Sequence, residues 1–314
     1  MIDVGWKGSR QVLLGPGDDG AVLRGGLVIS TDLMVEGVHF HSDWLSPSEL
    51  GFRAAAAGLS DLAAMGADPV AVLLSIAVPG EGQDAVSLQE GAAGAAERAG
   101  ATLVGGDLSR SPGPTMVDVV SVGRASRRPV TRSGARPGQQ LWVSGSLGGA
   151  AWAVRSWARG HAPPEPARLR FIEPPDRTAL GAKLAEEGLA AAMIDVSDGL
   201  VADLGHVTRA SGVGARVRYE DVPAFDGLPE GLNRGLVGGE DYELLFAAEP
   251  GSRDAIVRLS KATGVPLHTI GEIVHGEGVE VRLAGGRTLD LENPGFDHFS
   301  PKRGREPSTR GRAR

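Results

Sequence analysis

The chain has 314 residues and a formal net charge of −7, with 32 Lys and Arg against 39 Asp and Glu. That balance argues against a duplex nucleic-acid binder, which presents a basic surface. Cysteine is absent, which excludes disulfides, thiolate metal sites, iron-sulfur clusters and a cysteine nucleophile together, so any metal is held by oxygen or imidazole.

In chain order, the first half reads as short apolar strands that run into small and acidic residues. Leu27 to Ser30 leads into Thr31-Asp32, Ala71 to Val78 stops at Pro79-Gly80, and Thr102 to Val104 leads into Gly105-Gly106-Asp107. Thr115 to Val122 is a further β-rich run. Between the first two lies a helix with a legible start: Ser46 as N-cap, Pro47 at the first helical position and Glu49 completing a capping box, with Gly66 as the stop. The stretch Ser133 to Gln139 breaks the pattern and marks a domain boundary. The second half predicts a strand over 140–144, a helix over 147–158, a Pro-rich connection near 163–166 and a helix over 177–188. A strand over 191–196, a helix over 199–211, a strand over 243–248, a helix over 253–263 and a set of C-terminal strands follow. Imperfect alternation of strand and helix favours two α+β domains over one doubly wound sheet.

Residues 302–314 carry six basic residues against one acid and no apolar period, which predicts a disordered tail. The sequence has no run of about 18 apolar residues and no apolar signal segment at its start, so the expectation is a soluble cytoplasmic protein with no membrane or nucleic-acid partner.

Gly15-Pro16-Gly17-Asp18-Asp19-Gly20 matches a dinucleotide-binding string in form, but an apolar strand follows it where a Rossmann turn must open a helix. Two adjacent carboxylates there also repel a bare phosphate. Other carboxylates sit where one is costly. Asp32, Asp107 and Asp195 end apolar strands, and Asp61 shares its helix face with Ala54, Ala57, Gly58 and Met65. Any one of them is explicable as a cap or turn former, and Asp198 suits the N-cap of the helix over 199–211. The set as a whole calls for a cation. The four lysines adjoin none of these strings, and His39 and His41 form only an isolated His-x-His. An oxygen-only donor set with Ser30, Thr31 and Ser197 beside it suits Mg²⁺, and magnesium clusters bridge to phosphates. The chain therefore reads as a nucleotide enzyme that is neither a P-loop protein nor a protein kinase, since both signatures are missing. Gly238-Gly239-Glu240-Asp241-Tyr242-Glu243 brings backbone close to a ligand, with Glu240 placed to accept from an amino or cationic group.

These strings, with Leu59 to Ala67, Arg132-Ser133-Gly134-Ala135, Ile194 to Leu200 and Gly295-Phe296-Asp297-His298-Phe299, resemble the thiamine-monophosphate kinases of the aminoimidazole-ribonucleotide-synthetase-like superfamily, in order and over nearly the whole chain. The resemblance implies a two-domain α+β fold of mixed sheets flanked by helices, with an ATP- and magnesium-binding, dimerising domain over 1–137 and a second over 138–301. It implies transfer of the ATP γ-phosphoryl group to thiamine monophosphate. Asp19, Ser30, Thr31, Asp32, Asp61, Asp107, Asp195 and Asp198 would share several Mg²⁺ ions, with Asp32, Asp61, Asp107 and Asp195 at the centre of catalysis. Gly106, Asp107, Arg132 and Ser197 would touch ATP, and His39, Glu240 and Phe296 would hold the thiamine moiety. Where the family often has a tyrosine just before the Gly-Gly-Asp string, this chain has Arg98-Ala99-Gly100. An aminoimidazole ribonucleotide synthetase-like ligase and a catalytically silent nucleotide-binding homologue are the alternatives. The cysteine-dependent members of the superfamily are disfavoured by composition.

Overall fold

The computed structural model describes residues 8–80, 82, 84–291 and 295, so Phe296 and the basic tail lie outside the described residues. Among the described residues the chain forms two six-stranded sheets, one from each half. The first half runs β1 (Val12–Leu14), β2 (Ala21–Leu23), β3 (Leu27–Val35), α1 (Pro47–Ala64), β4 (Asp68–Val78), α2 (Ala85–Arg98), β5 (Thr102–Arg110) and β6 (Met116–Arg124). Its strand order is β1-β2-β3-β6-β4-β5, antiparallel except for the parallel pair β4 and β5, which α2 connects. The second half runs β7 (Gln140–Ser144), α3 (Gly149–Ala158), α4 (Glu165–Ile172), α5 (Thr178–Glu186), β8 (Ala192–Asp195), α6 (Leu200–Ser211), β9 (Gly214–Arg218), β10 (Leu244–Ala248), α7 (Arg253–Thr263), β11 (Leu267–Val274) and β12 (Gly278–Arg282). Its order is β12-β9-β11-β7-β10-β8. This is the α+β architecture of mixed sheets and flanking helices that the sequence predicts. Among the described residues no helix is long and apolar enough to cross a membrane.

Helix α1 starts as its sequence dictates. The Ser46 hydroxyl accepts the Glu49 N–H at 3.3 Å, the Glu49 carboxylate accepts the Ser46 N–H at 2.8 Å, and Pro47 occupies the first turn. At its other end Gly66, at φ +63°, lets the chain turn back so that the Ala67 N–H reaches the Leu62 carbonyl at 2.9 Å. Two glycines bring α2 against α1: a Cβ on Gly51 would lie 1.9 Å from the Leu88 carbonyl oxygen, and one on Gly91 equally close to that of Ser48. Helix α1 then serves both halves. Ala54, Leu59, Leu62 and Met65 join the first core, while Ala63 and Ala64 pack with Leu180, Leu184 and Phe246 of the second. Helices α3 and α4 return the favour through Ala150, Ala153 and Phe171, which belong to the first core.

Three local expectations are corrected. β3 and β5 do not stop at their carboxylates: Asp32 and Asp107 sit inside the strands, because each run continues with residues able to pair in the sheet. Helix α2 and helix α4 occupy stretches that the sequence reading leaves without helix. α2 buries only Ala, Gly and Leu, so its apolar face gives a faint periodic signal. Pro164 and Pro166, read as a connection, instead bracket the start of α4, where proline is tolerated.

Candidate active site

A cavity of about 910 Å³ opens between the two halves. Its walls come from the loop before β2 (Asp18, Asp19), from β3 (Ser30, Asp32), from α1 (Asp61), from the end of β8 and its turn (Asp195, Ser197, Asp198), and from the segment Val237 to Glu240. Gly15 to Gly20 leads into β2, as the rejection of a Rossmann turn requires.

The carboxylates of Asp19, Asp61 and Asp195 each place an oxygen within 4.8 Å of the others. Helix α1 makes this possible by carrying successive side chains to both domains. Ser60 donates to the Asp195 carboxylate at 2.6 Å, and Ser30 donates to Asp61. Asp195 is 3% exposed and Asp19 6%. Burial, then the charges of Asp195, Asp19 and Asp32, push Asp61 well above the usual carboxylate range. Burial and the neighbouring Asp19 push Asp195 up to about 7. Asp32 rises to about 6, first by burial and then by Glu240, against the pull of Arg53. Asp18 also rises to about 6, by burial and by Asp19. So many carboxylates resist ionising together unless a cation lies among them. Arg132 supplies part of that charge, donating to Asp19 at 2.6 Å while its backbone N–H meets Asp18 at 3.1 Å. Asp19 Oδ2 is nevertheless buried with no hydrogen-bond partner. An all-oxygen set with an orphaned buried oxygen fits Mg²⁺.

The turn after β8 is shaped by a residue that the sequence reading passes over. Gly199, not Asp198, stands at the N-cap of α6, and no side chain caps it. Instead Asp203, one turn into the helix, folds back and its Oδ2 accepts the N–H groups of Ser197, Asp198 and Gly199 at 3.0, 3.1 and 3.0 Å. Asp198 lies on the cavity wall with Ser197. Asp198, Asp203 and His206 also lie close enough to share an ion, although the acceptor oxygen of Asp203 is already committed to the backbone.

His39, also on the cavity wall, accepts the Val35 N–H on Nδ1 at 3.0 Å, which fixes its ring. Glu240 lines the cavity too, near enough to Asp32 to raise it, and is bonded by Arg53 and, at 2.7 Å, by the Tyr242 hydroxyl. Arg53 and Tyr242 escape the sequence reading. The signal for Arg53 is a lone cation in the apolar run Gly51 to Ala57.

Asp107, Gly106 and Thr31 do not join this constellation within one chain. Cross-strand pairing aligns Leu33, Asp118, Ser75 and Asp107 in one row, on the face of the first sheet opposite Ser30 and Asp32. Thr31 borders the cavity but turns its hydroxyl to Asp118 at 2.8 Å. Asp107 accepts the Leu108 N–H at 2.9 Å and lies apart from the cavity wall, as does Gly106. Arg98, in the Arg98-Ala99-Gly100 stretch, donates to Glu173 at 2.9 Å and lies over the face of Phe52.

Comparison with known proteins agrees with this arrangement of strings. Residues 17–125 match the family described as AIR synthase related protein, N-terminal domain, and residues 136–284 match its C-terminal domain. The thiamine-monophosphate kinase of Escherichia coli K12 is 35% identical over 309 residues, 92% of this chain and 93% of its own length. The crystal structure of the thiamine-monophosphate kinase of Stenotrophomonas maltophilia K279a is similar at a TM-score of 0.77 and 37% identity, covering 87% of this chain and 91% of that one. A structure of AaThiL complexed with AMPPCP and TMP has the same TM-score at 30% identity, covering 90% and 91%. With both domains matched and identity of 35% held over 92% of its length, the chain belongs to the thiamine-monophosphate kinase family of AIR synthase related proteins.

Proposed function

We propose that the chain phosphorylates thiamine monophosphate to thiamine diphosphate with ATP, as a cytoplasmic homodimer whose two domains meet near residues 137 and 138. The observation that carries this reading is the Asp19, Asp61 and Asp195 cluster with its orphaned oxygen, placed in a cavity that is also lined by a held carboxylate, Glu240. Asp19, Ser30, Asp32, Asp61, Asp195 and Asp198 hold Mg²⁺. When bound, it neutralises the phosphate chain and draws charge off the reacting phosphorus. Arg132 and Ser197 face the nucleotide phosphates. His39, Glu240 and Phe296 hold the thiamine moiety, where the Glu240 anion favours both the aminopyrimidine N–H and the cationic thiazolium. The acceptor phosphate is already an ionised nucleophile, so a phosphate oxygen bonds to Pγ while the bond from Pγ to the bridging oxygen breaks, ADP departs, and no strong general base is required.

A second copy of the chain is the partner that the first sheet calls for. The face that carries Leu33, Leu73 and Asp107 exposes Leu33 at 49% and Leu73 at 36%, and the edge strand β5 exposes Val104 and Leu108 at 60% and 52% beside it, an apolar surface larger than isolated exposed residues explain. Thr31 and Asp107 belong to this face and Gly106 to its edge strand, so their share in the metal and nucleotide site is completed in the dimer. Purified protein with MgATP and thiamine monophosphate is expected to release thiamine diphosphate, resolved by chromatography. Failure to form it under those conditions would overturn the reading.

A further inference from the structure

We propose that Arg53 is a positioning residue for substrate, holding Glu240 from the opposite domain so that one carboxylate oxygen is presented to the amino-bearing heterocycle. The inference rests on the assignment of Glu240 to the thiamine moiety. Arg53 lies in α1, and its side chain is 0% exposed. A guanidinium taken fully out of water is costly unless hydrogen bonds and an anion compensate it, and a buried ion pair seldom stabilises a fold better than an apolar residue of similar volume. The neighbours of Arg53 on α1, from Gly51 to Ala57, are otherwise apolar, so packing alone would be served by Met or Leu.

The contacts of Arg53 all lead to one place. Nη1 donates to the Phe171 carbonyl, the guanidinium carbon lies 3.6 Å above the Phe171 ring, and Nη2 donates to Glu240 Oε2. The Tyr242 hydroxyl donates to the same oxygen at 2.7 Å. Among the described residues both contacts fall on Oε2, which leaves Oε1 to meet a ligand. The backbone is arranged for the same end. Glu240 and Tyr242 take left-handed φ values of +71° and +50°, unfavourable for non-glycine residues, and each is pinned by its N–H, Glu240 to the Ser197 carbonyl and Tyr242 to that of Val196, both at 2.8 Å. Strain of this kind persists where surrounding bonds over-determine the conformation. Here they aim a carboxylate. Since α1 also carries Asp61, the same helix bears on both the carboxylate cluster and Glu240.

The test is a double-mutant cycle read by calorimetry, with thiamine monophosphate and a non-hydrolysable ATP analogue titrated separately in MgCl₂ into wild type, Arg53→Met, Arg53→Lys, Glu240→Gln and the double variant Arg53→Met with Glu240→Gln. Arg53→Met is expected to weaken thiamine monophosphate about tenfold or more and the analogue less than about twofold, with a matching rise in KM for thiamine monophosphate alone. In the Glu240→Gln background it should add less than about twofold, because its effect passes through Glu240. Arg53→Lys keeps the charge and loses the fork, so an intermediate loss of about threefold is expected. If Arg53→Met does not fold, the same cycle run with Arg53→Lys decides. Equal weakening of both ligands, or a full effect of Arg53 replacement on top of Glu240→Gln, overturns the inference. Wild type that binds the analogue but not thiamine monophosphate overturns the reading of the site, and the inference with it.

Discussion

Asp32 separates a metal-site role from a structural one at the level of a single residue. It stands inside β3, held up to about 6 by burial and by Glu240, and no part of the strand pairing depends on its charge. Replacement by Asn keeps the shape and removes one repelling anion. Turnover of Asp32→Asn is therefore expected to fall by about a thousandfold or more. The melting temperature of the metal-free protein is expected to stay level or rise. Steady-state kinetics beside calorimetry or circular dichroism checks both, and wholesale unfolding of the variant would mark Asp32 as structural. The acids at strand positions are legible in the sequence only as a set, because any one alone reads as a cap or turn former while several buried together call for a cation. Their counter-charges are less so. A search for lysines finds nothing, whereas Arg132 and Arg53 reach the acids from 113 and 187 residues away along the chain, separations that no local pattern encodes.

Helix α1 is the element on which the site depends, since it touches both cores and delivers Ser60 to Asp195 and Asp61 to Ser30. Its contact with α5 is set by Gly181, where a Cβ would sit 2.0 Å from the Ala63 carbonyl oxygen. The Gly181→Ala variant must push the helices apart. It is expected to lose about 1–3 kcal/mol of stability in urea unfolding at unchanged m-value, and to lower kcat because Asp61 moves with α1. A variant as stable and active as wild type would show that the contact relaxes without moving the helix. The start of α1 is readable to the residue because a capping box is local chemistry. The ends of β3 and β5 are not, because a carboxylate or a glycine pair looks like a terminator until tertiary pairing with β6 and β4 carries the strand past it. Helix α2 hides for a related reason: its fit against α1 rests on glycine and alanine, which leave little hydrophobic period to read. The turn at Ser197 to Gly199 shows the same limit. Asp198 invites a capping role in the sequence, and the structure gives the backbone N–H groups of this turn to Asp203, five residues further on.

At the scale of the whole molecule, the acidity seen in the composition becomes a coupling between metal, pH and stability. The order of the strings along the chain makes the two-domain plan legible, but the convergence of Asp19, Asp61 and Asp195 from a loop, a helix and a strand is a product of folding. A carboxyl whose pKa is raised on folding holds its proton more tightly in the native state. Its stabilisation is full below the ordinary value of 3.8 and is lost as pH rises through the raised value, about 6 for Asp32 and about 7 for Asp195. His206, pushed down to about 4 chiefly by burial, acts in the opposite sense, but its window from about 4 to 6.5 closes before the Asp195 window does. Between pH 6.5 and 8.5 the Asp32 window is nearly spent and the upper part of the Asp195 window remains, so the melting temperature of the protein in EDTA is expected to fall by about 2 °C. Magnesium takes the place of the lost protons, so the rise in melting temperature with MgCl₂ should be larger at pH 8.5 than at pH 6.5. Melts by differential scanning calorimetry at the two pH values, with and without MgCl₂, give all four numbers. A magnesium effect that is absent, or equal at both pH values, would mean that the buried carboxylates do not form the cation site.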